Sequence, residues 1–243
     1  MRKFRDILGM LRLLYRLVYE LIKNYRSLTD DLEHNFFVCK KICKKIVKSA
    51  NIRLLTYDQD KLPTDNRFLL VPNHRCFFDV VFLLAESEQP ISFVAAKELF
   101  NYPLLHRYLK SIRCICLDRY TKDITKLKAS IAEIRNELSD HNLVLFPEGE
   151  CSYHNKRMNK FKKGGFMGIS GLNLDIVPAF IKIGQIRNIG RWMIPVGEVG
   201  IYIGDPFRVE EVSTKRMQAG DIASYAQKQV LELQERAGEK DTV

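Results

Sequence analysis

Phe68-Leu69-Leu70-Val71-Pro72-Asn73-His74-Arg75-Cys76-Phe77-Phe78-Asp79-Val80-Val81-Phe82-Leu83-Leu84 holds a few polar residues between two apolar runs. The uncharged run before Pro72 reads as a buried strand, and the run that Asp79 opens reads as a buried helix. Asn73, His74 and Asp79 then belong to one strand-to-helix connection. If Asp79 caps the helix, its carboxylate can turn back to the imidazole five positions earlier, fixing the tautomer and raising the basicity. The positive end of the helix favours the charge that such a pair needs. A histidine beside an aspartate in a loop is often only a satisfied polar pair, so the rest of the chain has to decide.

Working outward, short apolar strands alternate with helices from about residue 52. Strands are predicted near 52–57, 67–71, 91–95, 112–117, 142–146, 176–183 and 194–203, and helices near 79–86, 104–110, 122–139, 164–172 and 221–236. This is the pattern of an α/β domain, residues 51–243, with a mixed, largely parallel sheet flanked by helices. Ligand sites in such sheets gather at the carboxyl ends of strands, which groups the loops after residues 71, 117 and 146. Lys97-Glu98-Leu99 follows one predicted strand and Asp118-Arg119 ends another. Phe146-Pro147-Glu148-Gly149-Glu150-Cys151-Ser152 ends a third, its Pro and Gly setting a tight turn that can present backbone N–H groups and a carboxylate. Lys156, Arg157, Lys160, Lys162 and Lys163 come next, either to hold a phosphate or simply to form a solvated basic loop.

Residues 1–50 have another texture. At 100° per residue, Phe4, Ile7, Leu8, Leu11, Leu14, Tyr15, Val18, Leu21, Ile22 and Tyr25 fall on one side of a helix over 4–25. Arg5, Arg12, Arg16, Glu20 and Lys23 fall on the other, and Arg12 and Arg16 break the apolar stretch a secretory signal needs. A second helix, about 31–50, mixes Phe36, Phe37, Ile42, Cys43, Ile46 and Val47 with five lysines at 40, 41, 44, 45 and 48. Of the 39 Lys and Arg, 13 lie within residues 1–53, against 5 of the 29 Asp and Glu, so this region holds most of the net charge of +10. Two basic amphipathic helices are expected to form a membrane-association region that lies on an anionic surface, with packing against the body as the competing reading. No charge-free run approaches the ~18 residues a spanning helix needs, and nothing resembles a nucleic-acid-binding motif. The six scattered cysteines have no zinc-type spacing and fit free thiols in a reducing compartment.

With these residues in view, the chain over about 65–210 resembles the glycerolipid acyltransferase family, whose best-known members are 1-acyl-glycerol-3-phosphate acyltransferases. Asn73-His74 with Asp79 is similar to the family's first motif block, Lys97-Glu98-Leu99 through Asp118-Arg119 to the second, Phe146-Pro147-Glu148-Gly149 with Ser152 to the third and Val177-Pro178 to the fourth. Four blocks in order are specific. The resemblance implies that His74 and Asp79 are catalytic and that Asn73, Lys97, Arg119, Glu148, Gly149, Ser152, Lys162 and Pro178 contribute to substrate binding. It also implies an acyl-CoA or acyl carrier protein donor, a lysolipid acceptor, no further cofactor and no metal. The setting would be phospholipid biosynthesis by a peripheral or monotopic enzyme on the cytoplasmic face of a membrane.

Some positions depart from the family pattern. Arg113 and Cys116 stand where the second block usually has a glycine and an aromatic residue, and Glu150-Cys151-Ser152 stands where the third usually has Thr-Arg-Ser. That arginine is commonly assigned to the acceptor's phosphate. Either Arg119, Lys97 and nearby lysines hold the phosphate without it, or the acceptor is a different lysolipid or a phosphate-free one, since Glu150 repels phosphate. Direct transfer needs only His74 and Asp79, whereas a thioacyl route through Cys76 or Cys151 needs a base as well, and His74 already has a role. A thioesterase and an inactive membrane-binding protein are the readings of other classes. The retained polar site argues against the second.

Overall fold

The structure is a computed structural model that describes residues 2–118, 120–121, 123–152, 157–169, 172, 174–189, 192–208 and 219–238. Among the described residues, seven strands form a single sheet: β1 Ile52–Tyr57, β2 Phe68–Pro72, β3 Ile91–Ala96, β4 Ile115–Leu117, β5 Asn142–Val144, β6 Asp175–Ile189 and β7 Trp192–Ile203. Their order is β1-β7-β6-β2-β5-β3-β4. Only β6 and β7 pair antiparallel; every other neighbouring pair is parallel. The mixed, largely parallel α/β sheet is therefore present, with β2 at its centre.

Helices cover both faces. α1 Arg2–Asn24, α2 Leu32–Ser49, α3 Asp79–Glu86 and α4 Pro103–Ser111 lie on one side, and α5 Ile124–Asp140 and α6 Ala219–Arg236 on the other. The β2 strand is buried at every position, as a strand covered on both faces must be. Its side chains alternate, Phe68 and Leu70 joining the first core and Leu69 and Val71 the second.

Three predicted elements change. Residues 163–169 form a 3-10 turn at Lys163–Phe166 followed by further turns instead of a helix. Gly164-Gly165 is a poor helix start, and a side chain at Gly165 would lie 2.5 Å from Leu145. The strand expected from residue 112 begins at Ile115, because Arg113 takes a left-handed φ of 52° that no strand accommodates. Asp79 is the first residue of α3, and the cap position belongs to Phe78.

The amino-terminal helices are part of the body. Phe36, Ile42 and Ile46 of α2 are buried in the same core as Phe82 of α3, worth roughly 1.5–3 kcal/mol for each such side chain. Asn35 donates through Nδ2 to the carbonyls of Thr29 (2.8 Å) and Ser111 (3.0 Å), and the Tyr108 hydroxyl donates to the Leu21 carbonyl at 2.6 Å. Helix α1 turns Leu13 and Glu20 fully inward. Glu20, read from the sequence as part of the solvated face, instead meets Lys45 at 2.8 Å and Arg16 at 2.9 Å. Burial alone would raise its pKa, but these cations hold it below the usual carboxylate value. The opposite stripe, Leu8, Leu11, Tyr15, Val18, Ile22 and Tyr25, is exposed. No helix among the described residues is long and apolar enough to cross a membrane.

Candidate active site

The connection from β2 to α3 closes on a single carboxylate. Asp79 is wholly buried, and its Oδ2 accepts from the backbone N–H of Arg75 (2.6 Å) and Cys76 (2.9 Å) and from His74 Nδ1 (2.8 Å). With Nδ1 donating to Asp79, the neutral ring presents Nε2 as the acceptor. The His74 side chain keeps 17% exposure, enough to be reached from outside, and its ring stacks on Phe146 at 4.2 Å. Burial pushes the imidazole pKa down, yet the hydrogen bonds to Asp79 and Cys151 outweigh it and raise the value to about 10.

The loop after β5 meets this dyad from the other side. Glu148 is fully buried; Oε1 accepts from the His74 N–H at 2.6 Å and Oε2 from the Asn159 N–H at 2.8 Å. Burial raises the pKa of this carboxyl, and the two N–H groups oppose the rise. Ser152 donates to the His74 carbonyl twice, from its N–H at 2.7 Å and its hydroxyl at 2.9 Å. Gly149 takes a left-handed φ of 73°, which a side chain adopts only with strain, and a Cβ there would lie 3.0 Å from Lys162 Nζ. Glu150 is exposed and Cys151 half-buried, and Cys151 Sγ lies 3.2 Å from His74 Nε2.

The residues singled out from the sequence thus divide. His74 and Asp79 form a hydrogen-bonded pair, with Gly149 and Lys162 at the adjoining surface. Glu148 and Ser152, expected to contact substrate, instead hold the His74 backbone, because each has its polar atoms turned into the protein. Asn73 is likewise internal: its amide accepts from the Ile181 N–H (2.6 Å) and donates to the Ile181 carbonyl (3.1 Å), fastening the end of β2 to β6. Pro178 is buried within β6, opposite Val71. Lys97 pairs with Asp118 at 3.3 Å across the ends of β3 and β4. Arg119 and Lys156 lie outside the described residues. The contact sequence reasoning missed is that of Cys151 with His74 Nε2. Its only signal was the unusual residue at that position.

The sequence model of the Acyltransferase family matches residues 53–182. Over 180 residues the chain is 24% identical to a 1-acyl-sn-glycerol-3-phosphate acyltransferase of Streptococcus pneumoniae, covering 73% of this chain and 64% of that protein. Over 112 residues it is 31% identical to a protein of the same name from Helicobacter pylori, covering 45% and 46%. The matched region therefore spans less than two thirds of either relative. The crystal structure of the 1-acyl-sn-glycerophosphate (LPA) acyltransferase PlsC from Thermotoga maritima superposes with a TM-score of 0.78 at 21% identity, over the whole of both chains, and shares the fold.

Proposed function

Because this chain belongs to the Acyltransferase family, we propose that it moves a fatty acyl group from a thioester, acyl-CoA or acyl carrier protein, to the hydroxyl of 1-acyl-glycerol-3-phosphate, giving phosphatidic acid. The observation that carries this reading is the His74–Asp79 pair at the carboxyl end of the central strand, its ring partly exposed. Asp79 holds the ring so that Nε2 takes the proton as the acceptor oxygen becomes a nucleophile. Glu148 and Ser152 keep the His74 backbone from shifting, and small displacements of such a base are costly. Lys162, above the Gly149 turn, offers a cation to an anionic head group.

A phosphate-free or otherwise different lysolipid is the second reading, favoured by one observation: Glu150 is exposed on the same turn and repels phosphate. The membrane is the proposed setting for either acceptor. The exposed stripe of α1 includes Leu11, Tyr15 and Ile22, with Arg12, Lys23 and Arg26 exposed beside it, the arrangement of an interfacial helix that sits on anionic lipid at a cytoplasmic face. On α2, Phe37 and five lysines line one shallow depression, which adds to the attraction.

The test is to incubate the purified protein with labelled acyl-CoA, or acyl carrier protein loaded with the same chain, and a panel of lysolipids with and without phosphate. Phosphatidic acid as the main product by mass is expected. Thiol release at one rate with and without lysolipid would make the protein a thioesterase instead.

A further inference from the structure

The nitrogen on which direct transfer depends is already engaged. Cys151 Sγ sits 3.2 Å from His74 Nε2, and His74 Nδ1 sits 2.8 Å from Asp79 Oδ2. Nucleophile, base and orienting carboxylate thus stand in line, the arrangement that activates a thiol for acyl transfer. An acceptor hydroxyl that approached Nε2 directly would have to displace the sulfur. The other cysteine of the two loops, Cys76, differs in each respect. It is buried, it faces Asp79 Oδ1 at 3.5 Å, and burial pushes its thiol well above the ordinary value. Only Cys151 pairs partial exposure with contact to the base.

We infer that Cys151 is a covalent catalytic nucleophile, and that acyl transfer passes through a thioester on its sulfur. This rests on the acyltransferase reading above. In the first half-reaction the Cys151 proton moves to His74 Nε2 while sulfur forms a bond to the donor's carbonyl carbon. The tetrahedral oxyanion collapses, the bond to the donor sulfur breaks and the imidazolium proton leaves with the donor thiol. In the second, the acceptor hydroxyl gives its proton to Nε2 as oxygen bonds to the same carbon, and the bond to Cys151 breaks as the sulfur takes that proton back. One base serves both steps in turn, so the thiol needs no base of its own. Nothing is oxidised or reduced, the first step exchanges one thioester for another, and the overall reaction is unchanged.

The experiment omits the acceptor. Wild-type protein is mixed with a long-chain acyl-CoA and, in parallel, with acyl carrier protein carrying the same chain. Intact-protein mass spectrometry reads the adduct, and labelled free thiol is followed as it exchanges into the donor. One acyl group per protein, mapped to Cys151, and steady exchange are expected. Both should be lost in Cys151→Ser and Cys151→Ala, with transfer to lysolipid falling at least 100-fold in folded Cys151→Ala. Exchange remains readable if the adduct is short-lived. Absence of both signals in a wild-type protein that transfers to lysolipid, or undiminished transfer by Cys151→Ala, overturns the covalent route and leaves the acyltransferase reading standing. Adduct and exchange without transfer to any lysolipid would uphold Cys151 and overturn the acceptor assignment.

Discussion

The loops after β2 and β5 meet at one imidazole but are built on different terms. In the first, Asp79 gathers three donors inside the protein, so the ring of His74 has little choice of orientation. The second is divided: Glu148 and Ser152 face inward and hold the His74 backbone, while Glu150 is exposed and half-buried Cys151 turns its sulfur to the His74 ring at the outer edge. The part that positions His74 is locked by buried hydrogen bonds, whose loss is expensive. The outward part is free to differ from the family pattern without unfolding anything, and that is where this chain departs from it.

The largest effect should come from the locked side. Asp79→Asn keeps the shape but removes the anion, and transfer should fall about 10²–10⁴-fold while circular dichroism stays unchanged. A fall of less than threefold would mean that Asp79 merely completes the loop. The same anion sets the titration of His74. Because the contacts with Asp79 and Cys151 in the folded protein favour the protonated ring, its pKa lies above the usual value and reaches about 10, so the neutral base becomes more abundant and transfer faster as pH rises from 7 toward 10. The stability His74 contributes is fully present below the unfolded-state value of about 6.5, and is lost as pH rises through about 10. Titration by NMR should show that value brought down in Asp79→Asn; an ordinary histidine pKa in the wild type would contradict the contact.

Glu148→Gln tests the hinge between the two sides. Its amide nitrogen can accept from neither His74 nor Asn159, so one buried N–H loses its partner at a cost of roughly 1–3 kcal/mol, or about 2–4 °C in Tm for each kcal/mol. The rate constant should fall with the acceptor KM little changed. A raised KM at constant Tm would return Glu148 to the substrate. Smallest of all is the expected effect of Glu150→Thr on the outward side. KM for a phosphate-bearing acceptor should drop a few-fold, with no change for a phosphate-free one; the reverse pattern would favour the second acceptor reading.

The sequence was most informative where period and punctuation agreed. The apolar run before Pro72, the helix opened at Asp79 and the alternation of strands and helices marked the Phe68–Pro72 strand and the His74–Asp79 pair, but not that this strand lies at the centre of the sheet. It was less informative where side chains of one type have two uses. Leu13 and Leu11 look alike in sequence, yet one is buried and the other exposed, because α1 carries apolar residues on two faces and only packing tells them apart. Glu20 illustrates the same point, since a buried carboxylate with two cations is indistinguishable in sequence from a solvated one. Glu148 reads as a ligand by its motif, while its backbone partners, His74 and Asn159, leave no trace in side-chain chemistry. Substituting the outer stripe alone, Tyr15 and Ile22 to Ser, is therefore the sound test of membrane seating, because removing the helix would also remove Leu13 and Glu20 from the core.

The most direct measurement compares wild type with folded His74→Ala on 1-acyl-glycerol-3-phosphate and a long-chain thioester, with the lipid product identified by mass. Phosphatidic acid from the wild type and none from the variant is the expected result. Undiminished turnover by a folded His74→Ala protein would contradict the assignment of His74 as the base.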